Sequence, residues 1–245
     1  MTTVLKLGGS VLTEKDREAT VDEAALRDAA AAVADHDGDL VVVHGGGSYG
    51  HPSARRHGVD DATGSCDATA VRAIHGAVAR LNDVVIEALA EAGAGAVPVH
   101  PLSAVRREAD GAVAGEPSAV AGLLAEGFLP VLHGDVVAHR DRGVTVLSGD
   151  DLVVYLAREL DADRVGLCST VPGVLDEEEA VIPTVEDFAS VADAVGASDA
   201  TDVTGGMAGK VRALLDLDAP ASVFGPADLS AFLAGERPGT TVRGG

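Results

Sequence analysis

Lys6-Leu7-Gly8-Gly9-Ser10 and His44-Gly45-Gly46-Gly47-Ser48-Tyr49-Gly50-His51 are two glycine-rich turns around which the chain can be organised. Each follows an apolar run, Val4-Leu5 before the first and Leu40-Val41-Val42-Val43 before the second. The longer run is typical of a strand buried on both faces of a parallel sheet. A glycine turn at the end of such a strand lets backbone N–H groups approach a phosphate closely. Two such turns on neighbouring strands can hold a phosphoryl donor and an acceptor, so the sequence predicts a phosphotransferase.

Strand-like and helix-like segments alternate along the chain. Short apolar runs predict strands, and apolar residues at three- and four-residue steps predict helices. The predicted strands are residues 3–7, 40–43, 96–100, 129–132, 164–168, 221–224 and 240–242. The predicted helices are residues 22–35, 66–92, 118–126, 152–160, 185–195, 204–217 and 227–233. Two turns, Asp110-Gly111 and Arg140-Asp141-Arg142-Gly143, predict β-hairpins over 106–115 and 136–147.

This alternation predicts an α/β protein, a three-layer α/β/α sandwich with a mainly parallel central sheet. The sequence has no internal repeat or linker, so we expect a single domain over residues 1–245. Within it we expect an N-terminal acceptor-phosphate lobe, about residues 1–148, and a C-terminal nucleotide lobe, about residues 149–245.

The composition is acidic: 39 Asp and Glu against 18 Lys and Arg give a formal net charge of −21. Such a charge disfavours nucleic acid and anionic membranes as partners. Because the acidic residues are spread along the chain and lysine is scarce, we expect a surface adapted to high salt; an ordinary acidic surface is the alternative. No apolar run approaches the roughly 18 residues of a membrane helix, and no targeting pattern is present. Cys66 and Cys168 lack metal or redox spacing, so we expect free thiols in a cytoplasmic protein.

The chain has three lysines, Lys6, Lys15 and Lys210, and each lies in or beside a glycine-rich stretch. Lysine is a compact charge on a flexible stem, which can follow a phosphoryl group as it moves. With backbone N–H groups and one magnesium ion, these ammonium groups can neutralise a triphosphate and align donor with acceptor. Chance placement of three surface lysines is the alternative. The single-loop pattern GxxxxGK[ST] is absent.

His51 directly follows the second glycine turn, on the acceptor side if the first turn faces the donor. A histidine there can donate a hydrogen bond to an anionic acceptor and hold it in line. If the acceptor is a phosphate, its second pKa of roughly 6 leaves it largely ionised at neutral pH, so it needs no general base. A helix-capping or surface histidine is the alternative.

Three further features each have more than one interpretation. Asp150 and Asp151 can orient a lysine or the metal, but Ser148 or Asp150 can equally cap the following helix, with Asp151 as a first-turn partner of its dipole. The basic stretch Arg55-Arg56-His57-Gly58 can attract an anionic substrate or form a solvated loop. The apolar face of helix 66–92 can pack on the sheet, line a substrate cavity or form a dimer interface.

With these residues in place, the chain resembles the amino acid kinase family. The stretch from Lys6 to Ser10 is similar to the family's opening signature, and His44-Gly45-Gly46-Gly47 is similar to its second loop. Gly205-Gly206-Met207-Ala208-Gly209-Lys210 is similar to its nucleotide-side lysine motif. These motifs span nearly the whole chain in the family's order. Gly47-Ser48-Tyr49-Gly50-His51 further resembles the loop of members that phosphorylate isopentenyl phosphate, in which the histidine binds the substrate phosphate.

The resemblance implies a homodimeric enzyme that uses ATP and Mg²⁺ to phosphorylate isopentenyl phosphate to isopentenyl diphosphate by direct in-line transfer, late in the archaeal mevalonate route to isoprenoids. It implies that Lys6 and Lys15 stabilise the transferring phosphoryl group and that the prenyl tail lies against helix 66–92. Catalytic roles fall to Lys6, Lys15 and His51, and acceptor binding to Gly46, His51 and Gly149. ATP binding falls to Lys6, Gly8, Gly9, Ser10, Gly47, Gly205 and Lys210.

The chain departs from the family pattern at two places. Tyr49 stands where a Phe is expected, and residues 169–174 stand where relatives often carry an Asp-rich loop, which leaves the base contacts unassigned. The alternatives are another member of the family, acting on a carboxylate, on uridine monophosphate or on a fosfomycin-type phosphonate, and a non-catalytic nucleotide sensor. A carboxylate acceptor calls for an Arg- or Asn-rich pocket, a nucleotide for a larger polar site, and a phosphonate for a short or polar cavity. Three lysines at the phosphates argue against a sensor.

Overall fold

The computed structural model describes residues 1–192 and 206–244. Its strands are β1 (Thr2–Leu7), β2 (Asp39–His44), β3 (Ala96–Pro98), β4 (Val105–Arg107), β5 (Val113–Gly115), β6 (Leu129–His133), β7 (Asp135–His139), β8 (Gly143–Leu147), β9 (Arg164–Cys168), β10 (Thr184–Val185), β11 (Ala221–Phe224) and β12 (Thr240–Val242). Its helices are α1 (Gly9–Leu12), α2 (Glu23–Ala34), α3 (Gly47–His57), α4 (Ala68–Glu91), α5 (Pro101–Ala104), α6 (Ser118–Ala125), α7 (Gly149–Glu159), α8 (Gly206–Leu215) and α9 (Leu229–Leu233).

The main sheet has eight strands in the order β10-β12-β11-β9-β1-β2-β6-β3. All neighbours pair in parallel except β11 and β12, so the sheet is mainly parallel, as predicted. Strand β1 lies between β9 and β2, with Lys6 in register with Leu167 on one side and Val43 on the other. The chain runs from β1 to β2 in one direction and reaches β9 on the other side later. In such sheets ligands bind at the carboxyl ends of the strands where the order reverses.

Alternate residues of the central strands face two different helix layers. Val4 and Val41 belong to a core shared with α7 and α8, whereas Leu5 and Val42 belong to a core shared with α2 and α4. Because side chains alternate across a strand, one apolar run serves both layers. The predicted three-layer α/β/α sandwich is therefore confirmed.

The two predicted hairpins form a second, smaller sheet. Strand β4 pairs antiparallel with β5, β7 pairs antiparallel with β8, and β4 joins β7 in parallel to give the order β5-β4-β7-β8. This sheet lies beyond the carboxyl end of β6, since Gly134 alone separates β6 from β7. Both hairpin predictions are confirmed.

Side-chain caps set the starts of the helices that flank the site. The carboxylate of Asp67 accepts from the Thr69 N–H at the start of α4, and the hydroxyl of Ser148 accepts from the Asp151 N–H at the start of α7. A cap of this kind contributes about 1 kcal/mol. Of the two candidates, Ser148 is thus the cap of α7, and Asp150 is left for another role.

Three local predictions need correction. Residues 185–195 were expected to be helical, but Val185 lies in β10 beside Val242 and residues 186–191 form bends and turns; residues 193–195 lie outside the described ranges. The strand expected over 96–100 ends at Pro98, and the short helix α5 begins at Pro101. The basic stretch is not a loop but the last turn of α3, which ends at Gly58 in the left-handed conformation, φ +64°.

Two further observations concern the state of the cysteines and the length of the apolar helices. Cys66 is exposed and Cys168 is buried, and both are free thiols. Among the described residues, no helix combines the length and apolar character needed to cross a membrane.

Candidate functional site

The carboxyl ends of β1, β2, β6 and β9 open on one cavity, where the order of the sheet reverses. The first glycine turn, the second glycine turn, Gly134 and Ser169 line it from these four strands. Helices α3, α4 and α7 and the start of α8 complete its walls. The cavity therefore lies where a parallel α/β sheet is expected to bind ligands.

The two glycine turns lie in direct backbone contact. A Cβ on Gly9 would collide with the backbone nitrogen of Gly47, and a Cβ on Gly45 would lie 2.6 Å from the nitrogen of Gly9. Gly47 also has a φ of +48°, a region that favours glycine. Glycine at these positions is therefore required by close packing of one loop on the other.

Thr13 links the two turns through its hydroxyl group. The hydroxyl donates to the Gly9 carbonyl at 2.8 Å and accepts from the Ser48 N–H at 3.0 Å. Thr13 is buried, so these hydrogen bonds form away from competing water. The pair fixes the position of one loop relative to the other, and nothing in the spacing of the sequence indicated this residue.

Asp150 lies between two of the three lysines. Its Oδ1 is 2.8 Å from Lys6 Nζ and its Oδ2 is 3.7 Å from Lys210 Nζ. Burial raises the pKa of Asp150, but the two ammonium groups outweigh that effect and hold the pKa below its usual range. The carboxylate is therefore ionised at working pH and holds two cations, one from β1 and one from α8, at the floor of the cavity.

The other end of the cavity is formed by α3 and α4. Gly46 is the N-cap of α3, so the positive end of that helix faces the cavity, and His51 and Lys15 lie exposed at its rim. Ile74 and Val78 of α4 supply an apolar wall beside these polar groups. A polar end whose groups suit an anion thus continues directly into an apolar wall.

Most of the predicted site residues come together at this cavity. Those that line it are Lys6, Gly8, Gly9, Ser10, Lys15, Gly46, His51, Gly149 and Lys210. Gly47 does not line it: it is buried behind the turn, against Gly9 and Thr13. Gly205 lies outside the described residues.

The basic stretch contributes one side chain to the neighbourhood of the site. Arg55 lines an adjoining cavity together with His51 and Lys210, whereas Arg56 pairs with Glu18 at 2.6 Å on the surface. Asp151 pairs with Arg107, so it is neither a lysine partner nor simply a partner of the helix dipole.

Sequence reasoning missed a group of buried polar residues beneath the end of the cavity that α3 and α4 form. Asp135 lines the cavity and accepts from the His75 ring at 2.8 Å, and burial raises its pKa although the His75 ring partly opposes the shift. His44 and His133, in register on β2 and β6, are wholly buried, and burial lowers the pKa of each, to about 3 for His133. The repeated His-Gly pair at two strand ends was the available signal.

The side chains at the site limit how a metal ion can be held. The described residues contain no cluster of three or more His, Cys, Asp or Glu that suits a metal ion. The carboxylates on the cavity wall belong to Asp135 and Asp150, and the latter already holds two ammonium groups. This donor set fits an ion held chiefly by the phosphates of a nucleotide, since Mg²⁺ commonly uses one or two carboxylates and substrate oxygens.

Comparison with known proteins identifies the family. A sequence model of the amino acid kinase family matches residues 1–217. The chain is 63% identical over 243 residues to isopentenyl phosphate kinase of Haloferax volcanii, with 98% of each chain covered. It is 35% identical to isopentenyl phosphate kinase of Methanothermobacter thermautotrophicus, covering 86% of this chain and 85% of that one.

A solved structure agrees with these matches. An X-ray structure of an isopentenyl phosphate kinase superposes with a TM-score of 0.84 and 27% identity, over 98% of this chain and 99% of that one. The likeness therefore extends over both the sheet and the cavity walls. Since the family model covers most of the sequence, the chain belongs to the amino acid kinase family.

Proposed function

We propose that this chain phosphorylates isopentenyl phosphate with ATP, giving isopentenyl diphosphate and ADP. The observation that carries the proposal is the composition of the cavity at the strand ends: Lys6, Lys15, Lys210 and His51 surround space that continues onto Ile74 and Val78. Cations suit the phosphates, and the apolar wall suits a short hydrocarbon tail. The high identity to the Haloferax volcanii kinase over nearly the whole chain supports the same substrate.

The reaction is a direct transfer. An oxygen of the acceptor phosphate attacks the γ-phosphorus of ATP, the new P–O bond forms as the bond to the β-phosphate oxygen breaks, and ADP leaves with the electron pair. The acceptor phosphate is already largely ionised, because its second pKa is about 6. Lys6 and Lys15 stabilise charge on the transferring group. No protein side chain has to remove a proton.

Acceptor binding falls to Gly46, His51 and Gly149. The N-terminus of α3 and the His51 ring donate hydrogen bonds to the phosphate. Gly149 allows close approach, because a Cβ there would lie 3.3 Å from Lys6 Cε and 3.5 Å from the His44 carbonyl oxygen. The prenyl tail lies against Ile74 and Val78 of α4.

ATP binding falls to the first glycine turn and the start of α8. Gly8, Gly9 and Ser10 present the turn to the phosphates, and Lys6 and Lys210 supply positive charge. Gly47 does not line the cavity but lets the two glycine turns pack together. We also assign ATP binding to Gly205, which belongs to the lysine motif. Mg²⁺ bound with ATP would neutralise charge on the phosphates, which would chiefly hold the ion, and Asp150 is an ionised carboxylate on the same cavity wall.

Four broader features belong to the same proposal. The enzyme is a homodimer in the cytoplasm, and it works at high salt because its charge of −21 is spread over the sequence. Residues 1–148 form the acceptor lobe and residues 149–245 the nucleotide lobe of one domain. Sedimentation equilibrium at low and high potassium chloride tests the dimer, and the salt dependence of turnover tests the adaptation.

The cavity lining disfavours the alternative acceptors. Among the described residues that line it there is no arginine and no asparagine, which a carboxylate acceptor would call for. The apolar wall of α4 does not suit a small polar phosphonate or the polar face of a nucleotide. Three lysines at one site exceed what nucleotide binding by a sensor requires.

The test is a coupled ADP-release assay at high potassium chloride with isopentenyl phosphate, fosfomycin, acetylglutamate and uridine monophosphate in parallel. Turnover with isopentenyl phosphate alone supports the proposal. Turnover with acetylglutamate would keep the fold and the lysines but overturn the acceptor site. ATP binding without ADP release for any acceptor would favour the sensor.

A further inference from the structure

The second glycine turn rests on a buried histidine that does not line the cavity. His44, the last residue of β2, has no solvent exposure, and its Nδ1 lies 3.0 Å from the Gly45 carbonyl oxygen. A carbonyl can only accept, so Nδ1 must carry the proton. Because burial lowers the pKa of His44, the ring is neutral and Nε2 must be an acceptor.

Asn82 of α4 completes this assignment. The Oδ1 of Asn82 lies 3.1 Å from His44 Nε2. The Nδ2 of the same amide is buried and has no hydrogen-bond partner in the described part of the chain. Turning the amide by half a rotation places Nδ2 opposite Nε2, where it donates to the bare ring nitrogen. The neutral Nδ1–H form of His44 is then satisfied at both nitrogens.

A second histidine repeats the arrangement on the next strand. His133 pairs with His44 in the register of β2 and β6, and its Nδ1 donates to the Gly134 carbonyl at 3.0 Å. Its Nε2 accepts from His100 Nδ1 at 3.0 Å, and the Gly134 N–H donates to the His44 carbonyl at 2.9 Å. Two buried rings thus fix two glycine peptides that both reach the cavity wall.

The orientation of the Gly45–Gly46 peptide follows from the hydrogen bond of His44. The described chain contains no cis peptide, so the Gly45 carbonyl and the Gly46 N–H point in opposite directions. With the carbonyl turned inward to the ring, the Gly46 N–H faces away from the core, on the cavity side. Gly46 is the N-cap of α3, where backbone N–H groups lack helical partners.

On the basis of the proposed function, we infer that His44 is a positioning residue for the acceptor phosphate. Its Nδ1–H holds the Gly45 carbonyl, and thereby aims the Gly46 N–H at the phosphate of isopentenyl phosphate. His44 touches neither substrate nor reacting atoms, so its effect is on acceptor binding and alignment. Asn82 and His133 keep the ring in place, one through Nε2 and the other through packing at 5.6 Å between ring centres.

The test replaces His44 with each of two amide side chains, so that a nitrogen donor is kept at only one of the two positions of the ring nitrogens. In His44→Asn the amide nitrogen takes the place of Nδ1, whereas in His44→Gln it takes the place of Nε2. We expect His44→Asn to keep the KM for isopentenyl phosphate within about threefold of wild type, and His44→Gln to raise it about tenfold or more, because one hydrogen bond to a charged group is misdirected. The KM for ATP should stay within about twofold in both variants.

His139→Gln is the matched control, because His139 is another buried strand-end histidine, and neither described cavity near the lysines includes it. Equal KM values for acceptor in His44→Asn and His44→Gln would overturn the inference and leave His44 with a structural role only. Absence of wild-type turnover with isopentenyl phosphate would instead overturn the proposed function.

A measurement on the wild-type protein does not depend on the folding of any variant. Long-range ¹H–¹⁵N correlation of ¹⁵N-histidine-labelled protein reports which ring nitrogen carries the proton, with His44 assigned through bonds from its backbone. We expect the Nδ1–H tautomer. The Nε2–H tautomer would contradict the inference, because the ring could not then donate to the Gly45 carbonyl.

Discussion

Replacing Asp150 with asparagine removes the charge that holds two lysines together while keeping the shape of the side chain. In the structure the carboxylate lies 2.8 Å from Lys6 Nζ and 3.7 Å from Lys210 Nζ. With an effective dielectric constant of about 20, these separations correspond to attractions of about 6 and about 4.5 kcal/mol before desolvation is subtracted. Desolvation removes much of this, but breaking a buried pair still costs about 3–5 kcal/mol.

The kinetic consequence has a defined pattern. The ammonium groups of Lys6 and Lys210 repel each other once the carboxylate is gone. Lys6 then leaves the position from which we propose that it stabilises the transferring phosphoryl group, and Lys210 leaves its proposed position beside ATP. Losing a preorganised electrostatic contact lowers kcat by about 100-fold to 1,000-fold. The variant also removes one negative charge from the cavity, so the KM for ATP should not rise. A fall in kcat without a rise in the KM for ATP is the expected result.

The assay is ADP release at high potassium chloride, with ATP and isopentenyl phosphate varied separately. Asp151→Asn is the matched control, because the same chemical change one residue later affects a half-exposed side chain that pairs with Arg107. Its kcat should remain within about threefold of wild type. If Asp150→Asn kept its kcat, or raised the KM for ATP while kcat stayed unchanged, Asp150 would not be the group that holds the two lysines in working positions.

Three further predictions concern the acceptor, the glycine contact and the buried histidines. His51→Ala should lower kcat/KM for isopentenyl phosphate about 10-fold to 150-fold, because it removes a charge-assisted hydrogen bond, and should leave ATP binding, measured by calorimetry, unchanged. Acceptor kinetics equal to those of wild type and of a His57→Ala control would show that His51 is not part of the site. Gly9→Ala should lower the free energy of unfolding in urea by about 1–3 kcal/mol, because the added methyl group meets the backbone of Gly47. The control Gly122→Ala lies on α6 with open space around it and should raise the free energy of unfolding by about 0.5–1 kcal/mol. A stabilised Gly9→Ala would contradict the packing. The free energy of unfolding should also fall as the pH is lowered from about 7 to about 5, and His133 alone should account for about 2 kcal/mol of the decrease. The pKa of His133 is about 3 in the folded protein and 6.5 in the unfolded chain, so protons bind the unfolded chain first. The raised pKa of Asp135 acts in the opposite direction, and His133→Asn should reduce the slope; an unchanged slope would show that His133 titrates normally in the folded protein.

The sequence was sufficient to predict features that depend on local pattern. The apolar runs before the two glycine turns predicted strands β1 and β2, and their carboxyl ends lie side by side because parallel neighbours share one edge. This adjacency brought Lys6, Lys15 and His51 to one cavity, and Lys210 reaches the same cavity from α8. The hairpin turns were equally local, and both were placed correctly.

Features set by distant partners could not be read in this way. Asp150 was a candidate helix cap, but its partners Lys6 and Lys210 are far away in sequence and lie on different elements. Val185 fitted a helical pattern, yet pairing with Val242 at the edge of the sheet places it in a strand. The hydroxyl of Thr13 and the histidine rings beneath the second glycine turn act through contacts that no spacing rule encodes.

Transfer to a phosphate acceptor is tested most directly by ³¹P NMR of the reaction mixture of wild-type enzyme, ATP, Mg²⁺ and isopentenyl phosphate at high potassium chloride. We expect the phosphomonoester resonance to disappear as the two coupled resonances of a prenyl diphosphate and those of ADP appear in equal amounts. Persistence of the monophosphate resonance, with ADP and free inorganic phosphate as the products, would contradict transfer to a phosphate acceptor at this site.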